Sequence, residues 1–101
     1  MIPEFRRVTS LGQLPGEGLA REFTLDGRII CIAKVNDEYC ALDNVCPHRG
    51  GPLGQGLVEG TKITCPWHGW QVEAKTGEVN GQPAVAVYDL RIEGDDVLVK
   101  I

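Results

Sequence analysis

The sequence has few histidines, an excess of negative over positive charge, and no long hydrophobic run. No stretch of about 18 apolar residues occurs, so no segment is predicted to span a membrane. Ten Lys and Arg face 14 Asp and Glu, for a net charge of −4. That balance argues against a nucleic-acid-binding protein, whose surface would be basic. Only two histidines are present, which limits the metal or acid–base chemistry that the chain can support.

The first residues lack the apolar stretch of an export signal. We interpret Arg6 and Arg7 as the solvated end of a strand, and not as part of a twin-arginine signal. The chain is therefore expected in the cytoplasm, where structural disulfides are rare. Its four cysteines are predicted to be metal ligands, buried thiols or both. Cys31 and Cys40 fall in strand-like segments and are predicted to be small buried side chains.

Strong helix candidates are also absent, and 13 Gly and six Pro indicate many turns. Ser10 is predicted to cap one short turn. Asp26-Gly27 joins two apolar, β-branched segments and predicts a tight hairpin. Further turns are predicted at 36–38 and 93–96. Short strands at regular spacing predict an antiparallel sandwich or barrel, with strands at 22–25, 28–34, 39–42, 84–92 and 97–101.

The middle of the chain differs, because 44–60 and 65–69 are rich in Cys, His, Pro and Gly and are predicted to be loops. Cys46 and His48 have the spacing C-x-H, and after sixteen residues Cys65 and His68 have the spacing C-x-x-H. Two Cys and two His form a four-ligand metal set. Zinc fingers usually pair Cys with Cys, whereas each loop here supplies one of each. The crossed pattern favours a binuclear iron cluster, with both thiolates on one iron and both imidazoles on the other. A structural zinc site is the alternative.

On these motifs the sequence resembles the Rieske family. Further matches are 39–44 before the first Cys, 49–53 after the first His, Gly69-Trp70 after the second His, and a proline-containing segment at 82–84. The resemblance implies an all-β Rieske fold in which an antiparallel β-sandwich framework carries a small, loop-rich cluster-binding subdomain. It implies a single domain over 1–101, with that subdomain at about 44–72. It also implies one 2Fe–2S cluster, held by Cys46, His48, Cys65 and His68.

The resemblance also predicts which branch of the family the chain belongs to. High-potential respiratory members carry an extra Cys in each loop, joined as a disulfide, where this chain has Gly51 and Trp67. They also place a Ser that donates to a cluster sulfide where this chain has Trp70. Fewer donors stabilise the reduced cluster less, so a low potential is expected. The chain looks like the soluble ferredoxins that serve ring-hydroxylating oxygenases.

Both histidines are assigned to the cluster, so no mononuclear iron site is expected, and the chain is predicted to be an electron carrier without a substrate of its own. Its expected partners are a flavin-dependent reductase as donor and a terminal oxygenase as acceptor, and we expect a monomer. The small Rieske subunit of a nitrite-reductase-like complex is the alternative.

Five further residues have predicted roles near the cluster. Leu53 is expected to shield it from water, and Pro83 belongs to the third loop that the family places over it. Trp67 and Trp70 either pack locally or help a redox partner to dock. Arg49 either contacts a partner's carboxylate or is a surface cation of little effect.

Overall fold

The structure is a computed structural model that describes residues 4–46, 50–67 and 69–101. Within these ranges it contains strands and two short 3-10 helices, Leu11–Gln13 and Leu53–Gln55, and every pairing between its strands is antiparallel. The strands are β1 (Phe5–Ser10), β2 (Ala20–Leu25), β3 (Arg28–Val35), β4 (Glu38–Asp43), β5 (Leu57–Glu59), β6 (Lys62–Thr64), β7 (Gln71–Glu73), β8 (Glu78–Val79), β9 (Gln82–Pro83), β10 (Val87–Tyr88), β11 (Leu90–Glu93) and β12 (Asp96–Lys100).

Two sheets form the framework, one ordered β1-β12-β11 and the other β10-β4-β3-β2. A first apolar core lies between them, built from Phe23, Ile30 and Ile32 of the larger sheet and Val99 of the smaller one. Alternate side chains of a strand point to opposite faces, so Ile30 and Ile32 share one face of β3. The predicted antiparallel β-sandwich is confirmed.

The other face of the larger sheet packs against the loops of the middle segment. Cys31, Ala33 and Val35 of β3 lie on this face, in a second core that also contains Cys46 and Cys65. Burial of β3 on both faces explains why its sequence is an almost continuous apolar run. Cys31 and Cys40 are buried free thiols, as predicted.

The two turns of the larger sheet follow from their sequences. Asp26 and Gly27 have φ of 51° and 77°, the left-handed conformation that a tight two-residue hairpin requires. Asn36 and Asp37 adopt the same conformation, with φ of 50° and 64°. Both turns are confirmed, although the second is one residue shorter than predicted because Glu38 already pairs in β4.

The predicted strand at 84–92 is wrong as a continuous element. Val87–Tyr88 pairs with β4 in the larger sheet, whereas Leu90–Glu93 pairs with β12 in the smaller one. The chain changes sheets at Asp89, and a run of apolar residues does not reveal a change of partner. Ser10 precedes the 3-10 helix as expected, but its side chain makes no cap hydrogen bond.

The middle segment contains more sheet than its composition indicates. Leu57–Glu59 lies within the predicted loop 44–60, yet it pairs with Lys62–Thr64, and that strand pairs with Gln71–Glu73. A three-residue strand is too short to show a clear alternating pattern, so this small sheet is missed by sequence reasoning. No helix of the described residues is long and apolar enough to cross a bilayer.

Candidate metal centre

Two loops bring Cys46 and Cys65 together on the second core. Cys46 follows β4 and Cys65 follows β6, and their exposed fractions are 1% and 2%. The two thiols lie close enough to interact, since the neighbouring Cys46 raises the pKa of the Cys65 thiol. Two cysteines nineteen positions apart in sequence therefore present their sulfur atoms side by side in apolar surroundings, as two thiolate ligands of one metal ion must.

Backbone hydrogen bonds join the described residues on the two sides of each loop. The Cys46 N–H donates to the Gly51 carbonyl at 2.8 Å, and the Gly50 N–H donates back to the Cys46 carbonyl at 2.9 Å. In the second loop, the Cys65 N–H donates to the Trp70 carbonyl at 2.7 Å. The sequence positions of His48 and His68 fall within these closed segments, but both histidines lie outside the described residues.

The charge state of Cys65 reflects its burial. Burial raises the pKa of the Cys65 thiol, a backbone hydrogen bond from Trp67 lowers it, and the neighbouring Cys46 thiol raises it again. The net effect favours the protonated thiol at Cys65 without a metal. Metal binding replaces these protons, because the thiolate is the ligand. This donor set fits an iron ion that takes two sulfur ligands.

Close packing surrounds the two thiols. A Cβ atom on Gly51 would lie 2.7 Å from the Sγ atom of Cys65, so a glycine is needed at this position. Leu53 is fully buried in the same core as Cys46 and Cys65, which is where a residue that keeps water from the sulfur ligands should lie. Its shielding role stays a prediction.

Three of the predicted docking residues are exposed. Trp67 and Trp70 are 50% and 38% exposed, and Pro83 is exposed in the two-stranded sheet β8-β9. Arg49 lies outside the described residues, as the two histidines do. Within 4–46, 50–67 and 69–101, no group of three or more Cys, His, Asp or Glu side chains is arranged to hold a metal ion.

Sequence reasoning missed two residues beside the first loop. Asn44 is only 5% exposed, and its side chain joins Glu22 of β2 to the backbone of Gly54. Asn44 ends the segment 39–44 that resembles the family, but the resemblance assigned it no role. Glu22 lies far from the motif in sequence and gave no signal.

Comparison with known proteins identifies the family. Residues 4–92 match the model of the Rieske [2Fe-2S] domain. The ferredoxin component of a naphthalene 1,2-dioxygenase system from Pseudomonas aeruginosa is 30% identical over 104 residues, covering 100% of this chain and 99% of that protein. Human Apoptosis-inducing factor 3 is 33% identical over 86 residues, which cover 82% of this chain and only 14% of the human protein.

Solved structures agree with the sequence comparison. The ferredoxin of carbazole 1,9a-dioxygenase from Nocardioides aromaticivorans IC177 superposes with a TM-score of 0.80 at 28% identity, covering 99% of this chain and 98% of that one. These findings decide between the two kinds of metal site that the ligand spacing left open. The chain belongs to the Rieske [2Fe-2S] domain family, and its cofactor is one 2Fe–2S cluster of the Rieske type.

Proposed function

We propose that this chain is a Rieske ferredoxin that carries one electron at a time from a flavin-dependent reductase to a terminal oxygenase, as a monomer in the cytoplasm. The observation that carries the proposal is the pair of buried thiols of Cys46 and Cys65, which come from separate loops and lie in one core. The pair lies in a chain whose relatives of matching length are ferredoxin components of dioxygenase systems. The oxygenase as acceptor follows from those relatives, and the reductase as donor follows from the need for a source of single electrons.

We assign Cys46 and Cys65 to one iron and His48 and His68 to the other. The contact between the two thiols supports the first half of this assignment. The second half is supported by the backbone bonds that close the segments containing the two histidines, and by the ligand set of Rieske centres, in which two His replace two Cys on one iron.

The surroundings of the ligands suit electron transfer. When bound, the cluster accepts one electron, and its formal charge changes only from zero to minus one if the imidazoles are neutral. Leu53 and the second core exclude water from the sulfur ligands. The exposed rings of Trp67 and Trp70 lie on the second loop, where they can contact a redox partner beside His68. Small, short-lived contacts of this kind are typical of electron carriers.

The full-length match to ferredoxins of dioxygenase systems supports a free carrier over a subunit of a larger enzyme. A nitrite-reductase-like complex would hold this chain tightly, and it would then elute with a large partner. We expect an affinity-tagged chain, purified anaerobically from its own host, to elute from a sizing column at the mass of a monomer. Co-elution with a large subunit in fixed stoichiometry would overturn the carrier proposal.

The ligand assignment is tested by substituting each of the four proposed ligands, with the two remaining cysteines of the chain as controls. Cys46→Ser, Cys65→Ser, His48→Ala and His68→Ala should each abolish the reduced-state EPR spectrum and the visible absorption of the cluster. Cys31→Ala and Cys40→Ala are matched controls, because both thiols are buried in the same core and neither belongs to the proposed ligand set. A parent-like EPR spectrum in any ligand variant, or its loss in both controls, would contradict the assignment.

A further inference from the structure

A hydrogen-bonded carboxylate ties the first metal-binding loop to the framework. Asn44 Nδ2 donates to Oε2 of Glu22 at 2.6 Å, and Gln55 Nε2 donates to Oε1 of the same carboxylate at 2.9 Å. Asn44 Oδ1 accepts the backbone N–H of Gly54 at 2.7 Å. These three bonds connect β2, the residue that follows β4, and the 3-10 helix Leu53–Gln55. We call Glu22, Asn44 and Gln55 the loop clamp.

Asn44 is the central member of the loop clamp. It is the one buried polar or charged residue among those that the structure describes. The nitrogen and the oxygen of its side-chain amide both have hydrogen-bond partners. Its backbone carbonyl also accepts the N–H of Leu53 at 2.8 Å. Loss of a partner from such a group is costly, because a buried donor or acceptor is left unpaired. The orientation of Asn44 is therefore fixed by Glu22 on one side and by the 3-10 helix on the other.

The packing around the loop clamp leaves no space for movement. A Cβ atom on Gly54 would lie 2.5 Å from Cγ of Glu22 and 2.9 Å from Oδ1 of Asn44. The 3-10 helix thus lies directly on β2. Leu53, the first residue of this helix, packs in the core of Cys46 and Cys65, so displacement of the helix would also displace the packing around the sulfur ligands.

The clamp holds both sides of the first loop. Asn44 lies two positions before Cys46, and the next residue, Val45, forms an isolated bridge with Pro52. The segment that enters the loop and the segment that leaves it are therefore both attached to Asn44. Through Asn44, the carboxylate of Glu22 is linked to both segments that flank Cys46.

The negative charge of Glu22 also acts on this core. Glu22 lies opposite Cys31 in the β2–β3 pairing. Burial is the main cause of the raised pKa of Cys31, and the charge of Glu22 is the second. Cys31 belongs to the same core as Cys46 and Cys65. A fixed negative charge beside this core opposes the addition of an electron there.

We infer that Glu22 and Asn44 are positioning residues for the electron carrier: their hydrogen bonds hold the first metal-binding loop in place, and the charge of Glu22 lowers the midpoint potential. The inference rests on the proposed function, since it assigns these residues a part in tuning and retaining the cluster. Glu22 and Asn44 lie outside the two metal-binding motifs, so residues beyond the ligand loops also affect the midpoint potential.

Glu22→Gln removes the negative charge of the Glu22 side chain and keeps its size and shape. The oxygen of the new amide can still accept from Asn44, and the nitrogen of that amide then faces Gln55, whose exposed side chain can turn its own oxygen inward. Protein-film voltammetry should show a higher midpoint potential for this variant, with the EPR line shape of the parent. The matched control is Glu17→Gln, which removes the same charge beside the turn of Asn36 and Asp37, at the opposite end of β4. A shift in Glu22→Gln no larger than that in Glu17→Gln would overturn the charge effect.

Glu22→Ala and Asn44→Ala remove the hydrogen bonds. Loss of a hydrogen bond to a charged group corresponds to about a tenfold change in an equilibrium. We expect both alanine variants to lose iron to an excess of chelator about tenfold faster than the parent, and Glu22→Gln to resemble the parent. Equal rates in all four proteins would refute the positioning role. If the parent itself lacked a Rieske EPR spectrum, the proposed function would fail instead, so the two failures are distinguishable.

Discussion

Gly51 and Trp67 lie against each other where the two metal-binding loops meet. A Cβ atom on Gly51 would be 3.1 Å from Cγ of the Trp67 ring. The resemblance to the Rieske family places a disulfide between these two positions in high-potential members. In this chain an indole ring occupies that place, so the two loops are held by packing and by their cysteines and not by a covalent bridge.

A low midpoint potential is the first expected consequence. Rieske centres span about −150 to +300 mV, and donors to the cluster sulfurs raise the potential. With no disulfide at 51 and 67, and with Trp70 in place of a donating hydroxyl, voltammetry near neutral pH should give a negative value. Trp70→Ser should raise that value. A parent potential in the upper part of the range would contradict the expectation.

Gly51→Ala tests the close approach to the cysteine ligand. The new methyl group would overlap the Sγ atom of Cys65 at 2.7 Å, and overpacking of this kind costs about 1–3 kcal/mol. We expect a reduced iron content per chain, measured by elemental analysis of anaerobically purified protein. Gly12→Ala is the control, because a Cβ atom there meets nothing within 4 Å. Full iron content in Gly51→Ala would show that the loop can yield.

Two glycines with the same backbone conformation separate crowding from conformational strain. Gly77 and Gly81 have φ of 73° and 78°, but only at Gly77 would a Cβ atom collide, 2.0 Å from the Val85 carbonyl oxygen. Either alanine substitution should cost about 1 kcal/mol because φ is positive. Gly77→Ala should cost about 1–3 kcal/mol more. Thermal unfolding of the two variants measures the difference, and equal melting temperatures would contradict it.

The buried thiol of Cys31 should lower the free energy of unfolding at alkaline pH. Burial raises the pKa of its thiol from 9.0 to about 12, and the charges of Glu22 and Cys40 act in the same direction. The folded state therefore disfavours the thiolate, so the stabilisation is complete below the unfolded pKa of about 9 and is lost as the pH rises toward 12. At about pH 10.5 the loss amounts to roughly 2 kcal/mol.

Anaerobic urea unfolding at about pH 8 and pH 10.5 measures this effect. The midpoint should fall more for the parent than for Cys31→Ala, which has no thiol to ionise at this position. The bond to Glu38 raises the pKa of Lys75 and burial raises the pKa of Cys40, but both proteins contain these groups, so their contributions cancel in the comparison. Parallel curves for the two proteins would rule out Cys31 as the cause.

Local chemistry made part of this structure predictable. Asp26-Gly27 specifies its hairpin because both residues tolerate a positive φ. The motifs C-x-H and C-x-x-H predict a metal site because each places a Cys and a His in one short loop. The features that were missed depend on partners distant in sequence. Asp89 marks a change of sheet, and the strand Leu57–Glu59 exists only because Lys62–Thr64 pairs with it. Glu22 reaches Asn44 across 22 positions, and neither residue alone indicates the contact.

The larger sheet of the framework is shared between two cores. Ile30 and Ile32 face the smaller sheet, and Cys31 and Ala33 face the metal-binding loops. A fragment containing only the loops would lack the apolar face of β3 on which they pack, and a framework stripped of its loops would expose that face to water. Engineering that transplants the redox centre onto another scaffold would therefore have to bring β3 and its apolar supports with it.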